Sequence, residues 1–290
     1  MDTGSDFVYM PLLDRSKILK LAEELPPTPQ ILSKIQSCMQ NPDSDLNDLV
    51  KLIRMDATLA AQVVRLSNSS FYGGSIPSEN IMEAVQRLGF REVHRLVGLV
   101  AAKQFMGAAA PVYKLKAGEL WEISIIRAVM LETFAKAVGV NHDTAYTIGL
   151  LHGIGKVVVN QCTLEAGLSF YDEVEDGQVS PELEQRILGM HFGDIGGVLM
   201  ECWKFTQEVI LPVRFQVSPF DAPDQRVMTC LLYLSTHLGD QWRAEGEADP
   251  FLVEDVEQIY EITALKENDI PSILETTAER IEKIKSEFNF

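Results

Sequence analysis

Apolar residues recur at intervals of three and four along almost the whole chain. In the segment TPQILSKIQSCMQNP they form one stripe on a helix, while Thr28 is placed to cap that helix and Pro29 suits its first turn. The stripe consists of Ile31, Leu32, Ile35, Cys38 and Met39. Strict alternation of apolar and polar residues, which would indicate strands, is nearly absent. The pattern therefore predicts an all-α protein.

The same spacing and its flanking residues predict the other helices. In SENIMEAVQRLGF, Ser78 is placed to cap a helix that Gly89 ends, and in SPELEQRILGM, Ser180 caps a helix whose first position is Pro181. Further helices are predicted near residues 16–24, 45–54, 57–69, 90–106, 117–138, 143–160, 193–203, 206–216, 224–240, 251–263 and 272–287.

Two interruptions divide the helical pattern. Glycine, proline and small residues gather in GAAAPVYKLKAG at 107–118, and an acidic polar connector spans 239–250. We therefore predict an N-terminal helical lobe at 14–110, a second helical lobe at 115–240 and a C-terminal helical extension at 250–290. The extension has an apolar face, formed by Ile273, Leu274, Ala278, Ile281, Ile284 and Phe288. Such a face packs on the rest of the chain or forms a dimer or partner helix, and we favour the first alternative.

The composition fits a globular protein and argues against binding to nucleic acid. Of the 290 residues, 46% are hydrophobic, which is enough to bury a sizeable core. The formal net charge is −17, and the basic residues are scattered singly among acidic ones. Because such a field repels phosphate backbones, we expect no nucleic-acid partner.

The sequence also lacks signals for export or membrane insertion. The first ten residues have neither the basic nor the apolar region of a signal peptide. The most apolar run, at 96–113, is interrupted by Lys103, Gln104 and Pro111, which is typical of a buried helix and the loop after it. The four cysteines lie far apart and include no CxxC pair, so we expect them to be reduced thiols. We expect a cytoplasmic protein with no membrane contact.

Few residues have the spacing of a catalytic metal site. His152 is followed by Gly153, which cannot ligate, and His191 precedes Asp194 by one helical turn. The second pair holds a metal or forms a structural hydrogen bond, and we favour the structural alternative. The remaining histidines, His94, His142 and His237, have no acidic or histidine neighbour at helical spacing and are expected to be surface or half-buried structural residues. The glycines of YGGS at 72–75 fit a turn, and the acidic pairs of VEDG and GEADP fit solvated loops.

Several motifs in order resemble the HDOD domain, a bacterial signalling module. They begin with LPPTP, the turn at Asp56, Leu59 and Ala60, and Asn68-Ser69 followed by Phe71-Tyr72. They continue with an AxxxLG step, LWEIS, AYTIGLLHGIGK, HFGDIGGVLMECW and ILPVRFQV, so that the resemblance covers about 16–240. It implies a multi-helix HDOD fold, with an N-terminal lobe and a degenerate HD-like lobe. It further implies a non-catalytic relative of the HD phosphohydrolases.

The resemblance also implies where the metal ligands of HD and HD-GYP enzymes would fall in this chain. The first ligand histidine corresponds to Ile123, and the His-Asp dyad to His152-Gly153. The next histidine matches His191. A later His-His pair falls on Gln216-Val217, and the last aspartate falls near Thr236. Apolar residues at ligand positions disfavour a divalent ion, so we expect no metal, no cofactor and no catalytic residues.

Lys156 and the segment at 68–72 each keep a ligand-binding and a structural interpretation. Lys156 would meet a nucleotide phosphate or close a salt bridge, and we favour the salt bridge. Asn68 and Ser69 are expected to satisfy a helix end and the following turn, with Phe71 and Tyr72 packed beneath them.

These features favour a regulatory protein that works through contacts with other signalling proteins. The acidic charge suits partners with basic or mixed faces, and self-association is left open. One alternative is a divergent metal-dependent phosphohydrolase using His152, His191 and Asp194. Another is a nucleotide or small-molecule sensor using the former active-site pocket, with His152, Lys156, His191 and Asp194 as its polar residues.

Overall fold

The protein is helical throughout the part of the chain that the computed structural model describes, which is residues 15–24, 28–69, 77–167, 179–245 and 248–288. The predicted all-α class is confirmed, and the one extended pairing in these ranges is a single bridge between Ala110 and Leu115. The α-helices are α1 (Arg15–Glu24), α2 (Thr28–Gln40), α3 (Leu46–Ile53), α4 (Ala57–Ser67), α5 (Ile81–Met106), α6 (Glu119–Val138), α7 (His142–Leu151), α8 (Ile154–Glu165), α9 (Pro181–Leu188), α10 (Phe192–Cys202), α11 (Gln207–Arg214), α12 (Arg226–Glu245), α13 (Val256–Thr263) and α14 (Ile270–Phe288).

Most helix ends follow from local sequence. The Ser180 side chain accepts the Leu183 N–H at the start of α9, with Pro181 in the first turn, as predicted. The start of α5 differs, because Asn80 rather than Ser78 accepts the Glu83 N–H and caps the helix. Gly89 interrupts α5 with a left-handed φ of 77°, so the predicted break lies there although the helix resumes at once.

The predicted helix at 143–160 is wrong, because it is two helices. α7 ends at Leu151 and α8 begins at Ile154, with Gly153 in a non-helical conformation (φ −89°, ψ 4°). His152 therefore lies at the junction and not within a helix. The predicted helix at 251–263 is also shorter than expected. It begins at Val256, after a 3-10 turn at Pro250–Leu252.

α6 lies at the centre of the packing and contacts α5, α7, α12 and α14. A single hydrophobic cluster runs from Ile18 in α1 to Ile281 in α14. The predicted lobes therefore share one core, and the boundaries at 110–115 and 240–250 stay a prediction. Ile273 and Ile281 of the C-terminal extension are buried, so α14 packs on the rest of the chain.

Some predicted features lie outside the described residues. These are Leu25 to Pro27 of the LPPTP motif, Phe71 and Tyr72, the YGGS turn, and the VEDG loop. Asn68 is described, and its side chain binds the backbone N–H and C=O of Ser78 at 2.7 and 2.8 Å. None of the four cysteines forms a disulfide. Among the described helices, none has both the length and the apolar composition needed to cross a bilayer.

Candidate functional site

His152 is a buried, neutral histidine at the end of α7. Its Nδ1 donates to the Gly149 carbonyl oxygen at 2.7 Å, because a carbonyl can only accept. Burial lowers the pKa of His152 to about 3, and the charges of Arg127 and Lys156 act in the same direction. The ring therefore stays uncharged at every physiological pH.

Side chains of α6 lie close beside Gly153. A Cβ at this position would lie 3.2 Å from Leu120 Cδ1 and 3.9 Å from Ser124 Oγ. Ile123, the position of the first HD ligand, is buried in the same helix. An aspartate side chain at Gly153 would therefore need Leu120 to move.

The other positions that correspond to HD ligands also make structural contacts. The buried amide of Gln216 donates to the His152 carbonyl at 2.9 Å and to the Val213 carbonyl at 2.7 Å. Val217 is half-buried against the core. Thr236 Oγ1 donates to the Leu232 carbonyl at 3.0 Å.

His191 is the N-cap of α10, and both of its ring nitrogens have partners. Nδ1 accepts the backbone N–H groups of Gly193 at 3.0 Å and Asp194 at 3.4 Å. Nε2 is therefore the protonated nitrogen, and it lies 3.3 Å from Asp194 Oδ2. The His191–Asp194 pair predicted from spacing is present, in the form of a helix cap.

Lys156 contacts aromatic rings and not a carboxylate. Its Nζ lies 5.1 Å from the centre of the Tyr113 ring and 4.7 Å from that of Phe192. The expected salt bridge is absent among the described residues, where no carboxylate oxygen comes within 4 Å of this nitrogen. Burial lowers the pKa of Lys156, although the charge of Glu184 opposes that shift.

Glu184 is a fully buried carboxyl that the sequence analysis missed. It accepts the Tyr113 hydroxyl at 2.5 Å and the Phe192 backbone N–H at 2.6 Å. Burial raises its pKa to about 7, against the effect of these hydrogen bonds and of Lys156. One signal was available, because Glu184 lies one helical turn before Leu188 on the apolar face of α9.

Arg127 is a second buried charge that the sequence analysis missed. It is 1% exposed in the middle of α6, and its Nη2 donates to Asp240 on α12. Its Nε and Nη1 are buried without a hydrogen-bond partner. Gly239 leaves room for it, since a Cβ there would lie 1.8 Å from Nη1. The sequence signal is a lone charged residue in the apolar run SIIRAVML.

One set of three metal-type ligands exists among the described residues, and His152 and His191 are not in it. It consists of Glu132, His142 and Asp143, whose ligand atoms lie within 4.8 Å of one another. Glu132 already forms ion pairs with three cations, which are Arg95, Lys136 and Arg280. This positive surrounding does not fit a divalent metal ion.

The two other histidines are structural. His94 is buried, and not half-buried or at the surface as expected, because α5 and α7 enclose it. Its Nε2 lies 3.2 Å from Thr147 Oγ1, and burial lowers its pKa to about 4. His237 is half-buried and packs edge-on against Tyr233, with 4.2 Å between the ring centres.

Comparisons with known proteins connect this geometry to a family. The family model of the HDOD domain matches residues 25–219. An uncharacterised protein of Treponema pallidum (strain Nichols) is 28% identical over 206 residues, which is 70% of this chain and 39% of that protein.

Two solved structures share the fold. A candidate signal transduction protein from Marinobacter aquaeolei VT8 is 26% identical with a TM-score of 0.72, covering 93% of this chain and 63% of that one. A candidate phosphohydrolase from Shewanella amazonensis SB2B is 24% identical with a TM-score of 0.66, covering 93% and 94%. The chain thus spans less than two thirds of the Treponema and Marinobacter proteins.

Proposed function

The chain belongs to the HDOD domain family, and from this premise we propose that it is a regulatory protein that acts through contacts with other signalling proteins and hydrolyses no substrate. The likeness to a candidate signal transduction protein supports the regulatory part. The observation that carries the second part is the surrounding of Gly153. Gly153 has no side chain to supply the carboxylate of an HD dyad, and a Cβ there would lie 3.2 Å from Leu120 Cδ1, so Leu120 would have to shift before an aspartate could fit.

The electrostatic field at His152 argues in the same direction. Arg127 and Lys156 are positively charged and close enough to lower its pKa. Asp240 is already paired with Arg127. A divalent ion at His152 would therefore be desolvated beside two cations, at a cost of several kcal/mol.

The Arg127–Asp240 ion pair gives this region a structural role instead. It joins α6 to α12, the helices that carry Ile123 and Thr236, and each partner lies one helical turn beyond that position. In the HD enzymes that the chain resembles, a metal would link these elements. Here a guanidinium and a carboxylate link them.

Turnover assays test the absence of hydrolysis. The protein is incubated with Mn²⁺ and with phosphomonoesters or cyclic dinucleotides, beside the variants His152→Ala, Gly153→Asp and, as a matched histidine control, His237→Ala. We expect no variant to exceed the protein-free rate. Hydrolysis that is lost in His152→Ala and kept in His237→Ala would establish the phosphohydrolase alternative. Activity gained by Gly153→Asp alone would contradict the argument that the HD site is lost at several positions.

A sensor of small anions is the second candidate, and one observation favours it. The buried Nε and Nη1 of Arg127 have no partner, and Lys156 adds a second positive charge. Thermal unfolding with inorganic phosphate and with nucleotides tests this, since a ligand at 100 times its Kd stabilises by about 2.7 kcal/mol. A shift that Lys156→Gln removes would support a sensor, and no shift with any of these anions would reject it.

A further inference from the structure

Two large apolar side chains stand out from the surface at the start of the C-terminal extension. Phe251 is 66% exposed and Leu252 is 72% exposed. Four large apolar side chains in the described part of the chain are more than half exposed, and the other two, Met55 and Leu164, are not adjacent to each other in sequence. Adjacent exposed apolar residues of this size are typical of a contact surface.

The turn that presents this pair is held firmly. The Asp249 carboxylate accepts the Phe251 N–H at 2.9 Å, and the Gln241 side chain of α12 accepts the Asp249 N–H at 2.6 Å. Val253, directly after the pair, is buried in the core. Because the backbone is already fixed, binding at Phe251 and Leu252 loses little conformational entropy.

The charge around the pair selects the partner. Residues 244–265 contain seven acidic residues and no lysine or arginine. Glu254, Asp255 and Glu257 are exposed directly after the pair. A second copy of the chain would bring the same negative charge to the contact, and anionic lipid or nucleic acid would be repelled as well.

We propose that this acidic apolar surface, residues 249–257, binds a basic amphipathic segment of a partner protein. Apolar side chains of the segment would cover Phe251 and Leu252, while its lysines and arginines face Glu254 and Glu257. The proposal rests on the proposed function, because it names the place and the chemistry of the protein contacts through which the chain acts.

Selection from an unbiased random-peptide library tests this surface. The targets are the full chain, the variant Phe251→Ser/Leu252→Ser, and the matched control Met55→Ser/Leu164→Ser, which removes the other two exposed apolar side chains. All changes are at exposed positions, and thermal unfolding verifies that each variant is folded. We expect the full chain and the control to enrich peptides with adjacent apolar residues flanked by lysine or arginine. Affinity should fall about tenfold or more on Phe251→Ser/Leu252→Ser.

Charge reversal separates the two components of the surface. Glu254→Lys/Glu257→Lys leaves Phe251 and Leu252 intact. It should lower the affinity for the enriched peptides and reduce the salt dependence of their binding. The proposal is overturned if no peptide is enriched, if the enriched peptides lack basic residues, or if Phe251→Ser/Leu252→Ser binds them unchanged. It is equally overturned if sedimentation shows a dimer that this variant abolishes. None of these results alters the turnover assays, which test the proposed function separately.

Discussion

At the scale of single residues, the buried ion pair on α6 depends on a glycine across the interface. Arg127 Nη1 lies where a side chain on Gly239 would stand, with 1.8 Å to a Cβ built there. In most helices alanine is favoured over glycine by about 1 kcal/mol. At position 239 the close approach of the Arg127 guanidinium should make glycine more favourable than alanine.

Gly239→Ala should therefore destabilise the protein, by about 1–3 kcal/mol as for other overpacked cores. Urea unfolding of the wild type and the variant measures the difference. A variant as stable as the wild type, or more stable, would show that Arg127 is free to move and would remove its assigned role.

Glu184 should make stability depend on pH in a direction unusual for a carboxyl. Its pKa in the fold is about 7, above the ordinary value of 4.5, so the folded state holds the proton more tightly than the unfolded chain does. The stability from this group is complete below about pH 4.5 and is lost as pH rises through 7. The full loss is about 3 kcal/mol.

Glu184→Gln, which imitates the protonated carboxyl, isolates this effect. The difference in unfolding free energy between variant and wild type should grow in favour of the variant from pH 5 to pH 8. The variant is compared with the wild type at each pH because His94 and His152 also make stability depend on pH. Their pKa values are lowered to about 4 and 3, so both proteins lose stability as the pH falls below about 6.5. A pH-independent difference would mean that Glu184 titrates normally.

At the scale of elements, Glu132 fastens three helices together. Its buried carboxylate on α6 forms ion pairs with Arg95 on α5 and Arg280 on α14, and with Lys136 one turn along its own helix. Burial alone would raise the pKa of Glu132, but the charges of Arg280 and Arg95 hold it below the ordinary value. The C-terminal helix is thus attached by charge as well as by the apolar contact of Ile281.

Glu132→Gln should cost about 3 kcal/mol in unfolding free energy at pH 7, because three cations lose a buried counter-charge. The matched control is Glu92→Gln, which removes a more exposed partner of the same Arg95 and should cost less than about 1 kcal/mol. Since the pKa of Glu132 is lowered, its contribution is present above the unfolded pKa and disappears as pH falls. Equal effects of the two substitutions would contradict the central position of Glu132.

Helical periodicity predicts the elements but not the contacts between them. α2 follows from its apolar stripe and α9 from its stripe and flanking residues. The junction at His152 was missed because the apolar pattern continues across it. Asp240 lies 113 residues from Arg127, and Arg280 lies 148 residues from Glu132. No spacing within one sequence indicates such pairs, although a lone charge on an apolar face marks one member of each.

At the scale of the whole molecule, one core connects every described segment, and the surface is strongly acidic. The cluster from Ile18 to Ile281 leaves the HD-like region inside the packing, with Leu120, Arg127 and Gln216 where a metal centre would be expected from the family resemblance. The formal net charge of the chain is −17, and an acidic surface favours partners with basic faces. Both features support the proposed regulatory function.

Calorimetric titration of Mn²⁺ and Zn²⁺ into the metal-free protein tests this account most directly. A hydrolytic HD centre must hold its metal at fixed stoichiometry, whereas here Gly153 supplies no ligand and the charges of Arg127 and Lys156 act on His152. We predict no saturable heat, with identical traces for the wild type and His152→Ala. Stoichiometric binding that His152→Ala abolishes would contradict the account.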